Sequence, residues 1–321
     1  MLINPVRVRN ILVARNDRFG EFLLNIPALR ALKETFPNAS ITALVNPSVR
    51  ELAGCISYID EVIEWDPEKR SFLEKLRMLK SKKPDIAVML NPSKELNILT
   101  YLSGIPVRAG YDRKWGFLLT HKMRDNKGLG LKHEVEYNLE LVSLVGAKTT
   151  DKTISLDRMP LSLNSEYAGA VAVHPFTSDP VKQWPAERFQ ELAERIAGNL
   201  KVKVIFVGRT NQGGTVLFEN RPHILPGTVP VAMDLINKTS LVELAQILKQ
   251  CKLLISGDSG PMHLASAVGT PVIALFRNDI PGKSPPRWGP KNTNSIVIQK
   301  SSLLDISVEE VFNKVREALK I

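Results

Sequence analysis

Two cysteines in 321 residues, Cys55 and Cys251, are too few for a disulfide framework or a cysteine-based zinc site. No apolar run approaches the roughly 18–20 residues that a membrane-spanning helix needs. The opening MLINPVRVRNILVAR has too short an apolar stretch for a signal peptide and no cleavage-like site. A reducing cytoplasm is the expected location. No Gly-x-Gly-x-x-Gly follows a strand-like run and no Gly-x-x-x-x-Gly-Lys-Ser/Thr occurs. Dinucleotide oxidoreduction and P-loop phosphoryl transfer therefore lose their usual anchors. Asp-x-Asp is missing as well, and with it the usual carboxylate pair for a metal-bound nucleotide sugar.

A hydrophobic content of 44% with 24% charged residues suits a globular chain able to bury a substantial core. The length favours two domains of about 150 residues each. The net charge of +10 and a pI near 9.5 point to an anionic partner: nucleic acid, anionic lipid or a phosphorylated substrate. The excess concentrates between Arg108 and Lys132. Arg108, Arg113, Lys114, Lys122, Arg124, Lys127 and Lys132 stand there against only Asp112 and Asp125, interrupted by Trp115, Phe117, Leu118 and Leu119. Such a stretch suits either a surface that meets anionic lipid head groups or a solvated loop with one packed turn. The charge would also suit a nucleic-acid binder, but no recognisable binding module accompanies it.

Short Val- and Ile-rich runs at 11–14, 41–45, 61–64 and 86–90 read as buried parallel strands. Helical spacing appears at 22–36 and 72–80; 107–110 reads as a further strand and 135–145 as a helix. The pattern restarts with strands at 170–174, 202–207, 253–256 and 272–276 and helices at 189–197, 241–251 and 262–268. Residues 150–169, with Pro160 and Gly169, form the linker candidate. This order implies an α/β chain of two facing Rossmann-like domains, 1–160 and 161–305, with an interdomain cleft. A last helix at 306–321 is expected to pack back on the first domain.

Three segments can carry chemistry. In ILVARNDRFGEFLLNIPALRALKETFP a strand, a polar turn and a helix follow one another. Gly20 allows close backbone approach, and Glu21 falls in the first helical turn. Its carboxylate can act as a general base or can merely complement the helix N-terminus; Asp17 has the same ambiguity, with a turn or cap role favoured. Pro27 marks a kink or the start of the regular helix. In VAVHPFTSDPVKQWPAERF, Thr177 and Ser178 offer hydroxyls and Lys182 a mobile cation for a departing phosphate. Trp184 is read as packing beneath the loop and His174 as a satisfied buried histidine. In LLISGDSGPMHLASAVGTPVIALF, the turn Gly257-Asp258-Ser259-Gly260 leads into a helix with Pro261 in its first turn. Free backbone N–H groups there suit a diphosphate, with His263 close by, while Asp258 or Ser259 can cap the helix.

Together these segments resemble glycosyltransferase family 9, the ADP-heptose:lipopolysaccharide heptosyltransferases. The resemblance rests on Asp17-Arg18-Phe19-Gly20-Glu21 with Pro27-Ala28-Leu29-Arg30-Ala31-Leu32, on Lys182-Gln183-Trp184-Pro185, on Lys238 to Leu244, and on Asp258-Ser259-Gly260 with His263-Leu264-Ala265. The matches run in order from 11 to 276. The resemblance implies a GT-B fold, with the acceptor on 1–160 and a nucleotide sugar on 161–305, and inverting transfer by single displacement, with no metal or other cofactor. Glu21 would be the base and Lys182 would neutralise the leaving diphosphate. Asp258, Ser259, Gly260 and His263 would hold that diphosphate, with Thr177, Ser178 and Thr239 lining the donor site. Asp17, Arg18, Arg113, Lys114 and Arg124 would meet an anionic glycolipid acceptor. The expected protein is a monomer, peripheral on the cytoplasmic face of the inner membrane, with no nucleic-acid partner. Two departures stand out. Glu21 replaces the family's usual aspartate, and Gly208 to Gly214 stands where an acid often contacts the donor ribose. Another nucleotide sugar, or a non-catalytic glycolipid-binding descendant, are the alternative readings.

Overall fold

The computed structural model describes residues 3–66, 68–160, 165–209 and 233–321, and the chain divides into two units, Met1–Arg158 and Met159–Ile321. The first unit alternates strands β1 (Asn10–Arg15), β2 (Ser40–Val45), β3 (Glu61–Glu64), β4 (Ile86–Met89), β5 (Val107–Tyr111) and β6 (His121–Met123) with six helices. These are α1 (Phe19–Leu23), α2 (Ile26–Thr35), α3 (Arg50–Gly54), α4 (Phe72–Lys82), α5 (Lys94–Leu102) and α6 (Glu134–Ser143). All strand pairs are parallel, in the order β3-β2-β1-β4-β5-β6. The central strands are apolar along nearly their whole length because helices cover both faces of such a sheet.

The second unit has strands β7 (Val171–His174), β8 (Val204–Phe206), β9 (Met233–Asp234), β10 (Leu253–Gly257), β11 (Val272–Arg277) and β12 (Ile296–Lys300). Its helices are α7 (Ala186–Leu200), α8 (Leu241–Gln250), α9 (Gly260–Ala267), α10 (Pro285–Trp288) and α11 (Val308–Leu319). Its order is β12-β11-β10-β7-β8-β9, again all parallel. Numbered from its own first strand, each sheet therefore has the order 3-2-1-4-5-6. The chain winds outward from its first strand, then returns to build on that strand's other side. The loops leaving the first and fourth strands diverge to opposite faces and open a crevice at the carboxyl edge. That crevice lies at β1/β4 in one unit and at β7/β10 in the other.

Capping explains several helix starts. Ser71 with Glu74 and Ser240 with Glu243 form reciprocal capping boxes at α4 and α8, each cap contributing about 1 kcal/mol. Pro27 lies in the first turn of α2 and marks its start, after α1 has ended and Asn25 has hydrogen-bonded the carbonyls of Glu21 and Phe22. Residues 151–158 are pinned to the first unit. Arg30 donates to Tyr58 Oη and to the carbonyls of Asp151 and Thr153, and Ser57 N donates to Asp157.

The last helix belongs to the second unit. Val308, Val311, Phe312 and Val315 form one apolar stripe, and they are buried in the second unit's own core with Phe189 and Ile196 of α7. Burying four such side chains contributes roughly 1.5–3 kcal/mol each. The opposite face carries Glu309, Asn313, Arg316 and Glu317, all exposed. Elements absent from the sequence reading are α3, α5, α10 and the outermost strands β6, β9 and β12. β6 is three residues of a basic stretch, and β12 is only partly covered.

Candidate functional site

Each crevice gathers its own set of polar side chains. In the first unit the chain leaves β1 through Asn16, Asp17 and Arg18 and turns at once into the five-residue α1, which places Glu21 in its first turn. Glu21 is 13% exposed and pairs with Arg18 at 2.5 Å. Burial pushes its carboxyl above the ordinary range and the Asp17 charge adds to this, against the opposing pull of Arg18 and Arg15. Asp17 is differently placed. It accepts from Nε of the buried Arg15 at 2.7 Å, and Arg15 also donates to the carbonyl of Leu90, just beyond β4. Arg15 thus bridges the exits of β1 and β4, and Asp17 is its anchor.

Beneath this lies a buried ionic network that the sequence did not reveal. Arg15 Nη1 is 3.6 Å from Glu134 Oε1, and Lys127 Nζ lies 2.5 Å from the same oxygen and 4.6 Å from the centroid of Tyr111. Burial opposes the Arg15 charge, but Asp17 and Glu134 outweigh it and raise its pKa. These residues come from four separate segments, and none forms a local pattern.

In the second unit the loop after β7 carries Lys182 on a short turn at Pro180–Lys182. Lys182 is 16% exposed and forms an ion pair with Asp258, itself 8% exposed, on the turn after β10. The cation is therefore held in place, where the sequence suggested a mobile one. The loop is braced on several sides. Arg277 donates to the Val181 carbonyl, Lys283 pairs with Asp179 at 2.8 Å, and Gln183 donates to the Pro175 carbonyl. Thr177 Oγ1 accepts from the Asp179 N–H, and Ser178 is exposed. Trp184 does pack beneath the loop: it meets Phe189 edge-on at 4.7 Å and donates to the Ile306 carbonyl.

Ser259 stands at the cap position of α9, yet its side chain makes no capping bond. Its Oγ lies 2.8 Å from Ser256 Oγ and 3.2 Å from His174 Nδ1. Ser259 therefore does not cap the helix with its side chain, and the backbone N–H groups of a helix N-terminus of this kind suit an anion. His263 is buried inside α9, its ring 6.5 Å from that of Trp288. Thr239 is half-buried just ahead of α8, which packs on α9. His174 is the buried histidine expected of it, and burial pushes its pKa down to about 3, so it is neutral. Gly208, after β8, has φ +124°, and a Cβ there would come 2.4 Å from His174 Cδ2. Its only sequence signal was a glycine following a strand. Thr210 to Gly214 lie outside the described residues.

The basic stretch is largely compensated. Arg113 pairs with Asp125 at 2.6 Å, Lys122 with Asp112, Lys127 with Glu134 and Lys132 with Glu140. Arg108 donates to the carbonyls of Leu118 and Ile105. Arg18, Lys114 and Arg124 are exposed, as are Trp115 and, at 68%, Phe117, with Leu129 and Leu131 further along. Among the described residues no three His, Cys, Asp or Glu side chains gather as a metal site, and no helix is long and apolar enough to cross a membrane.

Residues 73–315 match the model of a family described as glycosyltransferase family 9 (heptosyltransferase). A lipopolysaccharide heptosyltransferase 3 of Escherichia coli is 24% identical over 283 residues, covering 80% of each chain. The structure of a glycosyl transferase of family 9 from Veillonella parvula superposes with a TM-score of 0.81 at 22% identity, covering 99% of both chains. That of the Escherichia coli ADP-heptose heptosyltransferase II also gives 0.81, at 21% identity over 97% of this chain and 98% of the other.

Proposed function

Because the chain belongs to glycosyltransferase family 9 and has an α/β, two-domain GT-B fold, we propose that it transfers heptose from ADP-heptose to the inner core of lipopolysaccharide, with inversion and without a metal. The donor and acceptor are those named for its relatives. The observation that carries the mechanism is Glu21, a largely buried carboxylate with a raised pKa at the carboxyl edge of the first sheet. A carboxylate of raised pKa is a stronger base than an ordinary one.

Glu21 takes the proton of the acceptor hydroxyl as that oxygen bonds to the anomeric carbon. The bond from that carbon to the diphosphate oxygen breaks in the same step, and ADP leaves as the anion. The developing charge falls to Lys182, oriented by Asp258, and to the N–H groups opening α9. His263 and the hydroxyls of Thr177, Ser178, Thr239 and Ser259 line the donor. Arg18, Arg113, Lys114 and Arg124 attract the anionic acceptor, while Asp17 keeps Arg15 in place. Exposed Trp115, Phe117, Leu129 and Leu131 among basic residues support peripheral contact with the inner leaflet at the cytoplasmic face, since aromatic rings and cations together favour an anionic interface.

The test is incubation with a panel of nucleotide sugars and Kdo-lipid A acceptors, read by product mass. A heptose-sized increment from ADP-heptose alone is expected. Transfer of another sugar in preference, or no transfer from any donor, overturns the assignment.

A further inference from the structure

Glu21 sits on a helix too short to hold itself in place. α1 has five residues, and its cap residue Arg18 makes no side-chain capping bond. Isolated helices shorter than about 12–15 residues are marginal in water, so the position of α1 is set by what grips its ends. At its entrance Arg15 donates to Asp17 at 2.7 Å and to the Leu90 carbonyl at 3.2 Å. At its exit Asn25 donates to the carbonyls of Glu21 and Phe22. There too Asn138 Nδ2 donates, at 3.2 Å, to the carbonyl of Leu24, the residue that ends the helix. Both grips lead to one carboxylate. Glu134 Oε1 lies 3.6 Å from Arg15 Nη1 and 2.5 Å from Lys127 Nζ, and Lys127 Nζ also donates to Asn138 Oδ1 at 3.4 Å. Glu134 and Asn138 are one helical turn apart on α6, so they share a face.

Stability alone does not account for this arrangement. Arg15, Lys127, Glu134 and Asn138 are all buried. Taking such charges out of water costs so much that a buried ion pair seldom outperforms apolar side chains of the same volume. The dipole of α6 is already complemented by Glu136 in the same first turn. Arg15 already has Asp17 as a counter-charge. What Glu134 adds is a fixed connection between the entrance and the exit of α1. The connection has little freedom. The Lys127 ammonium lies over the ring of Tyr111, and the Tyr111 hydroxyl donates to the Tyr137 carbonyl on α6.

We propose that Glu134 is a positioning residue of the transfer reaction: it holds α1 from both ends and so fixes the Glu21 carboxylate against the acceptor hydroxyl. This role rests on the transferase reading above, and hydrogen exchange tests the grip on α1 without turnover. The experiment compares the full chain with Glu134→Gln and with Glu134→Leu combined with Lys127→Met. Gln removes the charge and keeps the shape. The double variant removes both charges of the pair, fills the space with apolar side chains, and leaves Arg15 its bonds to Asp17 and Leu90. Its melting temperature should match or exceed that of the wild type. In both variants the amides of Phe22 and Asn25, which bond to the Arg18 and Phe22 carbonyls, should exchange at least about tenfold faster, a local opening without global unfolding. A misplacement of about 1 Å can cost about 100-fold in rate, so kcat should fall by about ten- to 100-fold. The KM for ADP-heptose should stay within about twofold, because the lost alignment is needed only for the chemical step. Near-wild-type kcat or unchanged exchange in the double variant overturns the proposal, as does a loss of kcat that merely follows the melting temperature across the two variants. If the wild type transfers no sugar, the transferase assignment falls alone, and exchange in α1 still decides whether Glu134 holds that helix.

Discussion

Lys182→Met tests whether the cation after β7 serves chemistry or only the fold. The structure predicts that it serves both. Removing one member of a buried ion pair costs about 3–5 kcal/mol when burial is complete. Lys182 keeps 16% exposure and Asp258 8%, so a value below that range applies, roughly 2–3 kcal/mol. In a protein of this size about 1 kcal/mol shifts Tm by roughly 2–4 °C, and a loss of about 5–10 °C is expected. Asp258→Asn added to Lys182→Met removes the buried negative charge while keeping its shape, so most of that loss should return. Activity should not return with it. The leaving diphosphate still lacks its cation, and kcat should stay down by about 100-fold or more in both variants, the scale of one lost electrostatic stabiliser. Calorimetry and initial rates on the two proteins decide the matter. Recovery of kcat in the double variant would remove Lys182 from the mechanism. Equal melting temperatures for single and double variants would show that the pair carries no buried-charge penalty.

Glu21→Gln should reduce turnover by at least about 100-fold, because an amide cannot accept the proton, with nucleotide binding intact by titration. In the wild type a raised Glu21 pKa means that kcat/KM falls on the acid side at a higher pH than for an ordinary carboxylate; a limb at or below the ordinary carboxylate range contradicts this assignment. For stability the sign is opposite. Burial that raises a carboxyl pKa makes ionisation destabilise the fold, so this contribution is full below the unfolded-state pKa and lost as pH rises through the folded one. The melting temperature of Glu21→Gln at neutral pH should accordingly equal or exceed that of the wild type. Initial rates should survive EDTA; activity abolished by the chelator and restored by Mg²⁺ or Mn²⁺ contradicts charge compensation by Lys182 and α9. Gly208→Ala should cost roughly 2–6 kcal/mol, combining a backbone region nearly closed to side chains with a methyl driven into His174; an unchanged urea midpoint refutes the close approach.

Much of this protein could be read along the chain, because its decisive features are local. A buried parallel strand announces itself as an apolar run, and β1, β2, β4, β7, β10 and β11 did so. Pro27 and Pro261 marked helix starts because a residue lacking N–H fits the first turn. The family was equally legible, since its motifs are short segments following strands. Tertiary structure decided what depends on partners distant in sequence. Nothing adjacent to Lys182 indicates that it is held by a carboxylate 76 positions away, nor that Ser259 turns from its own helix toward His174. Asp17 and Glu21, four residues apart, are alike to a reader of the chain. Burial of Arg15 anchors the first, while the second pairs with the exposed Arg18. The apolar stripe of α11 could be seen in sequence, but not the surface that would cover it, because periodicity specifies a face and only the fold supplies its partner.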